Sequence, residues 1–173
     1  MSVSPLQALT IDQLRQRSST KWRTHPADVL PLFVAETDFP RAPAITAVLA
    51  RAIELGDTGY TPPDPGIRDA FAAFAQRRLG WTVDPARVRT TCDVMMGVVE
   101  ELRQVIEPGD RVITTPPVYP PFDMCIEEAG GVVERVPLVD NGVGWELDLA
   151  GIESAFAAGA RSILLCNPHN PTG

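Results

Sequence analysis

The sequence predicts an α/β fold with a mainly parallel sheet and helices on both faces. Three observations carry that expectation. From Arg87 onward, short β-rich runs alternate with helical ones, as βαβ units require. Two glycine-closed helical segments precede them. The last β-rich run, RSILLC, passes directly into a proline-braced turn, NPHNPTG.

Taken in order, the first thirty or so residues show no sustained period and read as an irregular arm. Pro26 and Pro31 bracket the entry to the first apolar run, LFVAETDF. Between Pro43 and Leu55, the residues Ile45, Val48, Leu49, Ala52 and Ile53 recur at helical spacing, with proline in the first turn and Gly56 after the last. The glycine- and proline-rich GDTGYTPPDPG cannot continue that helix and reads as a loop. A second helix follows, with Ile67, Phe71, Phe74 and Leu79 near one face and Gly80 at its end.

The alternation then begins. RVRTT, RVITT, GVVERVPL and RSILLC read as strands; VMMGVVEELRQVI, the stretch around FDMCIEEA and DLAGIESAFAAG read as the helices between them. Ligands of open α/β sheets bind at the carboxyl ends of strands, so the loops after Thr91, Thr115 and Cys166 are the places to seek chemistry.

Composition narrows the function. The 173 residues are 45% hydrophobic and 21% charged, as in a globular domain or a piece of one. Fifteen basic residues against 22 acidic ones give a net charge of −7, which argues against a nucleic-acid partner. No run approaches the roughly 18 apolar residues of a membrane span, and the N-terminus lacks a basic segment followed by an apolar one, so the expected setting is the cytoplasm without membrane association. Cys92, Cys125 and Cys166 are scattered, with only His25 and His169 as companions, so no metal site is expected and the thiols should pack as small hydrophobes. Lys21 is the single lysine and, on an irregular arm, is expected to be solvated. Glu100 with Glu101 and Glu127 with Glu128 read as solvated helix faces.

NPHNPTG at a strand's end could hold an Asn amide rigidly toward a ligand oxygen, and by residue type alone it could equally be a plain surface turn. In context it resembles the pyridoxal 5'-phosphate (PLP) enzymes of the aspartate aminotransferase fold, class I/II. LFVAETDFP, TGYTPPDPGIRDAF and TTPPVYPPF agree in order and spacing, and together resemble the C–S β-lyase (cystathionine β-lyase) branch of that family.

The resemblance implies a cofactor, PLP, and its contacts. Asn170 matches the asparagine that hydrogen-bonds the phenolic oxygen, and Tyr119 the aromatic residue that stacks on the pyridine ring. The amides of Val94 and Met95 match the phosphate cradle at a helix start. Relatives often carry glycine where Asp93 stands; this acid would either repel the phosphate or turn away and cap the helix. Tyr60 matches a tyrosine that reaches the partner subunit's phosphate, which implies a homodimer with shared active sites. Ala35 and Glu36 match the segment lining the pocket of a small amino-acid substrate, although relatives have Asp-Met where Glu36-Thr37 stands. Asp38 and Phe39 are expected to anchor that segment, and a catalytic role for His169 is not expected.

In the family, the Schiff-base lysine, the acid facing the pyridine nitrogen and a substrate-binding arginine all lie downstream of the NPTG turn. The expectation is therefore an N-terminal part of a longer enzyme, with no catalytic lysine, inactive and poorly stable by itself. Residues 1–40 would be the arm and the small-domain or pocket segment, and 41–173 the first half of the PLP-binding large domain. Three activities remain open. A β-lyase would release thiol, pyruvate and ammonia; an aminotransferase of class I/II would share the first steps; a non-catalytic binding or regulatory relative would need no lysine.

Overall fold

The computed structural model describes residues 7–60 and 66–173. Contacts group the chain into two compact units, one ending at residue 65 and the other running from Gly66 to Gly173.

Among the described residues, the first unit holds three helices. The expected irregular arm contains two short ones, α1 (Ile11–Leu14) and α2 (Thr20–Arg23). α1 forms because Thr10 and Gln13 make a reciprocal capping box, a signal present in the sequence as T-x-x-Q. α3 (Pro43–Leu55) has the expected bounds: Pro43 starts it where no N–H is needed, and Gly56 ends it at φ 64°, a left-handed conformation that glycine adopts without strain. Its apolar residues Ile45, Val48 and Ile53 are exposed.

The second unit opens with α4 (Ile67–Leu79), a 3₁₀ turn at Pro85–Arg87 and α5 (Val94–Val105). β1 (Arg111–Thr114), α6 (Pro121–Glu128) and β2 (Val132–Arg135) then form a βαβ unit. After a two-residue hairpin pair, β3 (Val139–Asp140) and β4 (Trp145–Glu146), come α7 (Leu149–Ala157) and β5 (Ser162–Ile163). The sheet is parallel in the order β2-β1-β5, with Val112 opposite Val133 on one side and Ser162 on the other.

Side chains alternate across β1, and each face acquires a cover. Val112 packs with Leu102, Ile106 and Ile126 from the α5–α6 side, while Ile113 packs with Val136, Ala155 and Ala160 on the α7 side. The crossover from α6 into β2 passes so close to this core that a Cβ on Gly131 would lie 2.9 Å from Ile106 Cδ1 and 3.0 Å from Ile126 Cγ2.

The structure departs from expectation at RVRTT, which forms no strand. A strand exists only through a neighbour, and among the described residues none lies beside Val88–Thr91. Among the described residues, RSILLC forms a strand only at Ser162–Ile163, against β1. The hairpin β3–β4 was not expected, although Asn141-Gly142 is a readable turn signal. Among the described residues, no helix is long and apolar enough to cross a membrane.

Candidate functional site

Parallel strands send their following loops out at one end of the sheet. The Thr115–Tyr119 loop leaves β1, and the Cys166–Gly173 turn follows neighbouring β5. α5 presents its N-terminus nearby: Cys125, on α6 just after the β1 loop, donates from Sγ to the Met95 carbonyl at 3.7 Å.

At that N-terminus, Asp93 turns its carboxylate onto the helix, where Oδ1 accepts from the Met96 amide at 2.8 Å. Asp93 thus caps the helix, with its charge still near the helix start. One first-turn amide is consumed, while those of Val94 and Met95 have no hydrogen-bond partner among the described residues. The Asp93 charge remains close by, and its reach is visible in Cys125: burial first, then the Asp93 carboxylate, raises that thiol's pKa above its ordinary value.

Tyr119 stays 38% exposed, and Phe122 meets its ring edge-on at 5.8 Å and 88°, which fixes the ring plane. Asn170 is exposed and its side-chain amide has no partner among the described residues. Its backbone N–H donates to Cys166 Sγ at 3.3 Å, and Gly173 N–H donates to the His169 carbonyl at 2.6 Å, so the turn is closed on itself. The peptide bonds Asn167–Pro168 and Asn170–Pro171 are cis, as is Pro116–Pro117 in the β1 loop.

Ala35, Glu36 and Tyr60 belong to the first unit. Tyr60 is fully exposed. The Ala35 and Glu36 amides have no partner among the described residues, whereas the Glu36 side chain is committed within its own unit. Ser19 Oγ donates to Glu36 Oε1 at 2.9 Å, and Arg17 lies 3.7 Å from the same oxygen while donating to the Thr37 carbonyl at 2.8 Å.

Several expectations are corrected. Lys21 is not solvated but 5% exposed, with Nζ donating to the Glu36 carbonyl at 2.8 Å and to Asp38 Oδ2 at 2.9 Å, because the short helix α2 carries it inward beside buried Trp22. Cys92 is exposed rather than packed, lying in the open turn ahead of α5. Cys166 is half-buried, and its sulfur serves the turn as a hydrogen-bonding group. Glu100 and Glu128 do form solvent-facing bridges, both to Arg103, at 2.7 and 3.1 Å. Two roles had no sequence signal strong enough to find them: Lys21 as the clamp of the Glu36–Asp38 segment, and His169 as a bridge, hydrogen-bonded to Thr115 Oγ1 at 3.2 Å and to Thr172 Oγ1 at 3.1 Å. Among the described residues, no three His, Cys, Asp or Glu side chains gather as a metal-binding set.

The family model for aminotransferase class I and II matches residues 27–173. The chain is 46% identical to a Mycobacterium leprae protein provisionally named cystathionine beta-lyase, over all of this chain and 44% of that protein. It is 39% identical to a cystathionine beta-lyase of Corynebacterium glutamicum, over 94% of this chain and 43% of that one. Among solved structures, a crystal structure from Corynebacterium diphtheriae, provisionally described as a PLP-dependent beta-cystathionase, superposes with a TM-score of 0.85 at 33% identity, covering 95% of this chain and 42% of that chain. The chain spans less than half the length of each of these relatives.

Proposed function

Because the chain belongs to the aminotransferase class I and II family, we propose that it is the cofactor-gripping portion of a PLP-dependent C–S β-lyase acting on a thioether amino acid such as cystathionine. One observation carries this reading: two helix-start amides and an Asn amide, all without a partner among the described residues, stand with a buttressed aromatic ring at the carboxyl end of one parallel sheet. The similarity to proteins named cystathionine beta-lyase supports the choice of branch.

The residues present fit the group. Val94 and Met95 N–H would hold its phosphate with the favourable end of the α5 dipole, Tyr119 would cover its ring, and Asn170 would donate to its phenolic oxygen. When bound, PLP supplies the electron sink that lets an amino acid's α-proton leave. This chain's part is to orient that sink and to receive the substrate: Ala35 and Glu36 would present backbone N–H groups to a substrate carboxylate, and Tyr60 would serve the partner subunit's phosphate in a homodimer. We place residues 1–40 with the arm and pocket segment and 41–173 with the large domain, in a cytoplasmic enzyme.

A lysine amine is also required, and Lys21 does not offer one, since its Nζ is buried and doubly engaged. The proposed attachment lysine lies in the portion of the relatives' length that this chain does not span. The 173 residues alone are accordingly proposed to be inactive.

The test uses the full-length protein loaded with PLP. With cystathionine, the β-lyase reading predicts pyruvate and a free thiol in equal amounts, without a keto-acid acceptor. Amino transfer to a keto acid with no thiol release would assign the aminotransferase alternative, and neither activity together with no cofactor uptake would assign the binding or regulatory one.

Asp93 supplies a further prediction. Asp93→Asn keeps a good cap while deleting the charge beside the phosphate site, so PLP affinity should rise about threefold to tenfold. The Cys125 thiol should also ionise at lower pH, with burial still holding it above the ordinary value. Equal affinities in cofactor titrations of the two proteins would remove Asp93 from the phosphate's surroundings.

A further inference from the structure

The turn that carries Asn170 is held in shape by its own atoms: Cys166 Sγ takes the Asn170 N–H, Thr172 Oγ1 meets His169 Nδ1, and Gly173 N–H closes on the His169 carbonyl. None of these bonds fixes where the turn sits relative to the rest of the sheet. Among the described residues, one hydrogen bond from the turn does so, between His169 Nε2 and Thr115 Oγ1, 54 positions away in the chain. Thr115 is fully buried at the end of β1, an element packed on both faces, and four residues later the same loop delivers Tyr119.

We infer that His169 is a positioning residue that sets Asn170 against Tyr119 by pinning the β5 turn to the end of β1. The inference rests on the reading of Asn170 and Tyr119 as cofactor contacts. Both ring nitrogens are used, each facing a hydroxyl that can donate or accept, so the bridge forms whichever nitrogen carries the proton. β5 ties the chain to β1 as far as Leu164, and beyond it, among the described residues, the His169–Thr115 bond is the one that holds the Asn170 turn to the sheet end. A displacement of about an ångström there weakens a directional bond steeply.

The geometry separates the two halves of the bridge experimentally. In His169→Gln the side-chain amide can reach where Nε2 stood, which keeps the Thr115 link. His169→Asn reproduces only the Nδ1 side and keeps the Thr172 link. Thr115→Val removes the hydroxyl without changing the side chain's shape. The measurements, on the full-length PLP-loaded protein, are cofactor affinity by spectroscopic titration and the pH midpoint of the cofactor's visible absorbance.

His169→Asn and Thr115→Val should each weaken PLP binding about fivefold and move the midpoint upward, in the direction of an Asn170→Ala variant. The pair combined should be no worse than either alone, and His169→Gln should stay near wild type. A merely structural role would lower thermal stability and leave the midpoint in place. Unmoved midpoints in both His169→Asn and Thr115→Val overturn the inference whatever happens to stability, and Thr115→Val decides the matter if His169→Asn does not fold. A wild-type protein that takes up no PLP overturns the cofactor reading itself and this inference with it. Normal wild-type binding with unaffected variants overturns the inference alone.

Discussion

Asn170→Ala in the full-length chain is expected to weaken PLP binding about 10- to 100-fold and to raise the pH midpoint of the cofactor's absorbance. The magnitude follows from the type of bond. A hydrogen bond to a charged group contributes about 1.5–3 kcal/mol, and about 1.4 kcal/mol is a factor of ten. The direction follows from the sign of the charge: an amide donated to an anionic oxygen favours the deprotonated state, so its loss makes the proton harder to remove. Little stability is at stake, because the side chain is exposed and unpartnered among the described residues, and truncating such a residue costs within about 0.5 kcal/mol. Affinity should therefore fall while the thermal midpoint of the cofactor-free protein holds. The same affinity and pH midpoint in both proteins would deny Asn170 its proposed contact and leave NPHNPTG a plain turn.

How far the sequence could be read depended on whether a feature is local. α3 was legible to the residue, because Pro43 and Gly56 act on their own backbone. The core of β1 was legible because RVITT is apolar on both faces, and both faces are covered. RVRTT looks equally strand-like and is not one, since pairing is a relation with another segment that its own residues cannot express. The same divide runs through the site. Asp93 could be read as a cap because capping reaches only three residues ahead. Thr115 and His169 are 54 positions apart, and nothing in either neighbourhood announces the other. The arm was the converse case, where T-x-x-Q at Thr10 was readable and α1 was still not expected.

Lys21 is the residue whose surroundings changed its meaning most, and it supports the second large prediction: Asp38→Ala should destabilise the protein more than Lys21→Met. The ammonium is almost fully buried, its side chain 6% exposed, and holds two acceptors, the Glu36 carbonyl and Asp38 Oδ2. Removing Asp38 strands that charge. For a fully buried pair the cost is about 3–5 kcal/mol; Asp38 is itself 32% exposed, so water replaces part of it and the expected loss is about 2–3 kcal/mol. Lys21→Met deletes the charge instead and leaves an unbranched apolar chain in the same space. Its cost is then an unmet Glu36 carbonyl and an unpaired carboxylate that water reaches on about a third of its surface, about 1–2 kcal/mol. Asp38 Oδ1 is buried without a partner among the described residues, so the pair is not an ideally satisfied one, and the double variant should recover part of the Asp38→Ala loss. The functional consequence differs from the thermodynamic one. Both substitutions free the Glu36–Asp38 segment, so both should raise KM for the amino-acid substrate while leaving PLP affinity near wild type. Denaturant unfolding of the two single variants checks the order. An Asp38→Ala protein as stable as Lys21→Met would mean that the ammonium finds water or another acceptor, and that the pair does not hold the segment.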